Sequence, residues 1–330
     1  MGLGRAGRFH LDSINQLDSC TLKYVVDPSL SPSDKIVTKN AFILLEDLKE
    51  ALDDSEVDGV IVSAPTEFHF NYICQSLKAG KHVFTEKPLG KSAKEINICF
   101  DLAQKKGLAI FLGFQRRYDN NFIELKNSIE KIAKVRTVKM SSRDNPKPSL
   151  SYLKISGNIF HDMLIHDFDM LLFLMGYKVP ISVFAYGYAY DPDIKKIPDF
   201  DTVLVTLKYA DGLICAIDTS RSAVYGYDQR IELFGEKGMA IAENQKNNTV
   251  QVHTLEGVYQ HPINYSFPQR YKEAYREEIL DFVKGIQAGR PFNISKKQCL
   301  LGHLIADAAH ESATTNSVID FQEKYQDELS

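Results

Sequence analysis

Gly2-Leu3-Gly4-Arg5-Ala6-Gly7 matches the pattern G-x-G-x-x-G. In such a turn the first glycine permits the tight bend and the second lets backbone approach a pyrophosphate. The third lets the following helix pack close, with its N-terminus toward the phosphates. Arg5 lies inside the motif and counts with the glycines as a cofactor contact. Asp27 stands 20 residues beyond Gly7, after the β-rich run Leu22-Lys23-Tyr24-Val25-Val26. An acidic residue there can accept hydrogen bonds from an adenosine ribose and repels a 2′-phosphate, which favours NAD over NADP. A glycine-rich start and an ordinary turn aspartate would give the same letters, so the motif gains weight from its surroundings.

Outward from the motif, strands and helices alternate. Gly59-Val60-Ile61-Val62-Ser63, His82-Val83-Phe84-Thr85 and Leu108-Ala109-Ile110-Phe111-Leu112 read as short apolar strands. Residues 44–52, 67–79 and 92–106 read as helices, the last with Ser92 as N-cap and Gly107 just past its end. This pattern predicts a Rossmann-type, doubly wound parallel sheet over residues 1–115, covered on both faces. Such a fingerprint ordinarily follows a strand, yet only Met1 precedes Gly2. The expected sheet therefore lacks its first, central strand and carries a slot there. A binding or regulatory homologue with an impaired cofactor site is one consequence to weigh.

Residues 116–330 change character. After a helix near 119–131 come strand patterns at 135–142, 181–190, 202–209, 213–220, 229–235, 238–243, 249–254 and 258–262. An apolar helix interrupts them at about 158–175, and helices at about 269–288 and 296–315 follow. An α+β domain with an antiparallel sheet is expected. At ~100–200 residues per domain, 330 residues fit two domains.

Composition excludes several classes. Charged residues are 25% and hydrophobic ones 44%, as in globular proteins. A net charge of −4 argues against nucleic-acid binding. No apolar run approaches the ~20 residues of a membrane span, and no signal-peptide pattern is present. Five widely spaced cysteines without C-x-x-C fit reduced thiols in a cytoplasmic protein.

Two further segments carry chemistry. Thr85-Glu86-Lys87-Pro88-Leu89 follows a strand end, where open α/β sheets bind ligands. Lys87 there is a candidate donor to a substrate hydroxyl and a candidate proton carrier, with Glu86 orienting it and Pro88 stiffening the turn. A surface lysine before a turn proline is the plainer explanation. In the apolar helix, Asp162, His166, Asp169 and Phe173 fall on one stripe, and Asp162 and His166 at i and i+4 can meet. His166 as general base, oriented by Asp162, and a structural Asp–His pair are both open from these residues. No metal site is expected. His161 and His166 are five apart, and His303 and His310, seven apart, are read as helix packing.

The glycine fingerprint, Ala64-Pro65 with His69, Glu86-Lys87-Pro88, Gly113-Phe114-Gln115-Arg116-Arg117-Tyr118-Asp119 and the Asp162/His166 helix occur in one order. Together they resemble the glucose–fructose oxidoreductase / inositol dehydrogenase (GFO/IDH/MocA) family over nearly the whole chain. The segments 165–170 and 220–230 are particularly similar to inositol 2-dehydrogenases. The resemblance implies an NAD-dependent oxidoreductase acting on CH–OH donors, oxidising a cyclic polyol such as myo-inositol to the inosose. Another sugar or a dihydrodiol is the alternative substrate. It implies Lys87, Asp162 and His166 as the catalytic trio, and Pro65, His69, Glu86 and Lys87 as cofactor contacts beside the fingerprint. Tyr225 and Tyr227 join the trio as substrate contacts, although strand tyrosines more often pack. Arg116 and Arg117 line the cofactor side, or form a solvated pair or an ion pair with Asp119. The open sheet of the second domain implies a homodimer or homotetramer.

Overall fold

The computed structural model describes residues 1–290 and 292–329. It divides into two compact units, Met1–Tyr118 with Glu273–Leu300, and Asp119–Lys272 with Leu301–Ser330. A single boundary between 115 and 116 does not capture this. The helix Lys272–Gln287 places Ile279 and Phe282 against Phe84, Ala109 and Phe111, which returns the segment to the first unit's core.

In the first unit, β1 (Tyr24–Val26) and β2 (Ile43–Leu45) pair in parallel. Strands β3 (Gly59–Val62), β4 (His82–Glu86) and β5 (Ile110–Gly113) form a second parallel group in that order. Helices Arg5–Ile14, Thr66–Lys78 and Ala93–Lys106 connect them. The Ser92 hydroxyl caps the last helix by accepting from Glu95 N, and Gly107 ends it with φ +66°. Sequence reading merged β2 into a helix. Three apolar residues have no measurable period, and helix begins only at Lys49.

The parallel sheet is parted between β1 and β3, and Met1 and Gly2 stand in the gap. Gly2 N donates to Val26 O (2.9 Å), while the Met1 amine donates to Ile61 O (2.7 Å) and Ser63 N donates to Met1 O (2.9 Å). Beyond these contacts a groove of about 270 Å³ opens, lined by Val25, Val26, Val60, Ile61, Ile279 and Phe282 among others.

In the second unit, β6 (Val135–Arg143), β7 (Ser182–Tyr188), β8 (Thr202–Lys208), β9 (Ile214–Ser220), β10 (Asp228–Gly235) and β11 (Met239–Ala242) share one sheet. Strands β12 (Gln251–Thr254) and β13 (Gly257–Gln260) form a separate hairpin. The short β14 (Ile319–Asp320), unforeseen from sequence, completes the order β11-β10-β6-β9-β8-β7-β14. Within this sheet, among the described residues, only β6 and β9 pair in parallel. Alternation along β8 and β9 buries Val203, Val205, Leu207, Cys215 and Ile217 on one face. Residues 160–175 are helical as expected, but the first turn, Phe160–Leu164, is a π turn and α-geometry starts at Ile165.

Candidate active site

In the first unit, the glycine loop leads into the helix Arg5–Ile14 with Gly4 as N-cap and no side-chain cap. A Cβ on Gly7 would lie 2.1 Å from the Gly2 carbonyl oxygen, so only glycine fits there. A Cβ on Gly4 would meet nothing within 4 Å, which leaves room for a ligand against the helix N-terminus. Asp27 stands at the end of β1 with its Oδ2 accepting from Leu3 N (2.7 Å). Its Oδ1 accepts from Ser29 N (2.9 Å) and the Ser29 hydroxyl (2.6 Å). Burial works to raise the Asp27 pKa, and these hydrogen bonds outweigh it and hold the carboxyl below its ordinary value. A capless helix start, an open space at Gly4 and an ionised carboxylate at the loop fit a dinucleotide.

Pro65 caps the helix Thr66–Lys78, and His69 on its first turn is buried. The His69 ring spans two carbonyl oxygens, with Nδ1 2.7 Å from Pro88 O and Nε2 2.8 Å from Ala64 O. Burial pushes its pKa down against the carbonyls that raise it. His69 thereby ties the Ala64-Pro65 turn to the Lys87-Pro88 turn, whose peptide bond is cis. Glu86 and Lys87, at the end of β4, are both half-buried.

Beneath Lys87 lies a cluster that sequence spacing did not reveal. His10 Nε2 is 2.7 Å from Glu86 Oε1. Glu278, 1% exposed, offers a carboxylate oxygen within 4.8 Å of both, and among the described residues neither of its oxygens has a hydrogen-bond partner. Burial, then the Glu86 charge, lifts the Glu278 pKa well above its ordinary value. Burial also works to raise Glu86, but His10 and Lys87 keep it low. The two carboxyls are thus driven apart, Glu86 toward the ionised form and Glu278 toward the protonated one.

Arg116 and Arg117 are buried, so a solvated pair is ruled out, and Arg117 Nη1 donates to Asn293 O (3.4 Å). In the second unit, Asp119 takes Arg270 as its buried partner.

The second unit carries Asp162 and His166 on consecutive turns of the 160–175 helix. Asp162 is buried and His166 half-buried. Asp162 Oδ1 accepts from the Tyr152 hydroxyl (2.8 Å) and Oδ2 from Arg221 Nη1 (3.0 Å). The Arg221 side chain is 0% exposed and also donates from Nη2 to Asp199 (2.7 Å), whose other oxygen accepts from Ile159 N (2.8 Å). Sequence reading missed Tyr152, Asp199 and Arg221. The one available signal was an arginine closing the apolar strand β9. This anchoring holds Asp162 in a fixed position, with both carboxylate oxygens engaged by donors. Tyr225 is half-exposed, and its hydroxyl donates to Asp228 (2.6 Å) and accepts from Arg143 (2.7 Å). Tyr227 is buried edge-on against Tyr271 at 5.9 Å.

A dinucleotide-type fold with a lysine at a strand end in one unit, and an anchored aspartate and a histidine in the other, define a nicotinamide-dependent oxidoreductase. A family model described as an oxidoreductase family with an NAD-binding Rossmann fold matches residues 1–114, and the model of the GFO/IDH/MocA C-terminal domain matches residues 124–241. The chain is 36% identical over 330 residues to myo-inositol 2-dehydrogenase of Thermotoga maritima, covering 98% of each. It is 35% identical to inositol 2-dehydrogenase of Rhizobium meliloti, over 94% of this chain and 95% of that one. The crystal structure of scyllo-inositol dehydrogenase from Lactobacillus casei, with bound NAD(H) and scyllo-inositol, superposes with a TM-score of 0.88 at 27% identity, covering 97% of each chain. The chain belongs to the GFO/IDH/MocA family of NAD-dependent oxidoreductases.

Proposed function

We propose that the protein oxidises one secondary hydroxyl of a cyclic polyol, myo-inositol first among them, to the ketone. The observation that carries this reading is the buried, doubly anchored Asp162 four residues ahead of His166. NAD supplies the acceptor for the hydride leaving the carbon. Lys87 donates a hydrogen bond to the reacting hydroxyl. Asp162, fixed by Arg221 and Tyr152, accepts from a neighbouring ring hydroxyl and sets the sugar's orientation. His166 takes the hydroxyl proton, so the products are ketone, NADH and a protonated imidazole. Gly2, Gly4, Arg5 and Gly7 hold the pyrophosphate and Asp27 the ribose, while Pro65, His69 and Glu86 shape the nicotinamide end. Tyr225, half-exposed, is a further polyol contact, and the burial of Tyr227 against Tyr271 fits a packing role for it.

The second unit's sheet supports a homo-oligomer. Tyr186, Leu204, Ile214, Phe234, Met239 and Ile241 leave an apolar surface exposed on it, suited to a second copy. Five free cysteines and the absence, among the described residues, of a helix able to cross a membrane support a cytoplasmic location.

NADH formation with NAD and myo-inositol, scyllo-inositol, glucose or no substrate tests the function. Turnover with an inositol is expected. His166→Ala is expected to lower the turnover number far more than NAD affinity. Equal loss of both would make His166 structural, and turnover on glucose alone would move the substrate.

A further inference from the structure

Apart from the reaction, the second unit gathers a histidine cluster from two distant segments. His303 and Asp307 lie four residues apart on the helix Lys296–Thr315, the spacing that puts two ligands on one helical face. His161 arrives from the π turn just ahead of Asp162. Its Nε2 is 2.9 Å from Asp307 Oδ1, and His303 Nε2 is 3.6 Å from Asp307 Oδ2. The two imidazole rings meet edge to face at 5.1 Å. One ligand atom from each of the three residues lies within 4.8 Å of the others. The helix spacing supplies two of the three groups, and His161 completes the set from a distant segment.

Proton counting shows why the cluster is unusual. Asn158 Oδ1 accepts from the backbone N–H groups of Phe160 (3.0 Å) and His161 (3.1 Å), which fixes that atom as oxygen. His161 Nδ1 lies 3.0 Å from the same oxygen and must therefore carry a proton. A neutral His161 ring then turns its Nε2 lone pair toward a carboxylate oxygen. Something positive has to stand between them, either a second ring proton or a cation. A second proton would place an imidazolium beside His303. A cation shared by the two Nε2 atoms and the carboxylate meets the same geometry without that added charge. The Asn158 bond to Nδ1 is the kind of outer contact that orients a metal-binding imidazole.

We propose that His161, His303 and Asp307 form a binding site for a divalent zinc-class cation, with ligands Nε2, Nε2 and carboxylate. Two imidazoles and one carboxylate are borderline ligands of the type zinc prefers. Ligands ~2.0–2.2 Å from a tetrahedral zinc lie roughly 3.4 Å apart, and the 2.9 and 3.6 Å separations bracket that value. Asp307 is 41% exposed, which gives the ion a way in and leaves a position for water. Bound metal would fasten the turn carrying Asp162 to the C-terminal helix.

The test uses the full chain prepared without a polyhistidine tag and stripped with a chelator. Calorimetric titration with Zn2+ is expected to show one saturable site per chain, and Co2+ to give the visible absorption of a four- or five-coordinate ion. His303→Asn and Asp307→Asn should each weaken Zn2+ binding about tenfold or more. On the unmodified chain, Zn2+ should shift the NMR signals of two histidine side chains, a readout that needs no variant to fold. Absence of saturable binding would overturn the site. So would binding that both substitutions leave unchanged, or histidine shifts that map elsewhere. None of these readouts depends on turnover, so the site stands or falls separately from the proposed reaction.

Discussion

Arg221 is the residue on which the second unit's chemistry rests. Its guanidinium is enclosed and divides its donors between Asp162 and Asp199. Replacing it with methionine leaves two buried carboxylates without a counter-charge, a loss of about 3–5 kcal/mol. Chemical denaturation of Arg221→Met should show that drop. Tyr152→Phe is milder, removing one hydrogen bond to a charged group. It should lower kcat/KM for the polyol about tenfold while leaving NAD affinity unchanged, and steady-state kinetics beside cofactor titration separates the two. Glu278 predicts a pH effect. It holds its proton more tightly in the folded protein than in the unfolded chain, where it ionises near its ordinary value of 4.5. As pH rises above that value the unfolded state loses its proton first, so this contribution to stability is full at low pH and fades upward. The melting temperature of Glu278→Gln should therefore fall less between pH 5 and pH 8 than that of the parent. At this scale the sequence was partly legible. Asp162, His166 and Lys87 stand out because polar groups in apolar or strand-end settings require a reason. Arg221, which anchors Asp162, and His10 and Glu278, which cluster with Glu86, are distant in sequence, and Tyr152 reaches Asp162 from a separate short helix, so no helical spacing links them.

Among elements, the glycine turn and the 160–175 helix matter most, and they differ in how well letters describe them. The turn can be read because the constraint at Gly7 is steric and local. Gly7→Ala forces a Cβ to 2.1 Å from a carbonyl oxygen, so melting temperature and NAD binding should fall together. Gly4→Ala points its methyl into open space. It should fold with an unchanged melting temperature and lose NAD affinity, which fluorescence titration measures. The helix is legible in extent but not in its first turn. A wider π turn over Phe160–Leu164 changes how the side chains of that turn project relative to the later ones. A wheel drawn at 100° per residue therefore misplaces Asp162 relative to His166, and Asp162 reaches Tyr152 and Arg221. Short strands such as β2 and β14 escaped reading because pairing, not pattern, defines them.

For the whole molecule, the alternation of apolar strands with helices foretold the first unit, and repeated strand-turn patterns foretold the second unit's sheet. The return of Glu273–Leu300 to the first unit bears on how the protein is born. A ribosome releases the chain from its N-terminus, and domains ordinarily fold as they emerge. Here Phe84 and Phe111 wait for Ile279 and Phe282, which are translated only after strands β6 to β13 of the second unit. The nucleotide-binding half is begun first and completed only after them. A message cut short after the second unit's sheet would release a first half with its apolar face bare, a natural client for chaperones.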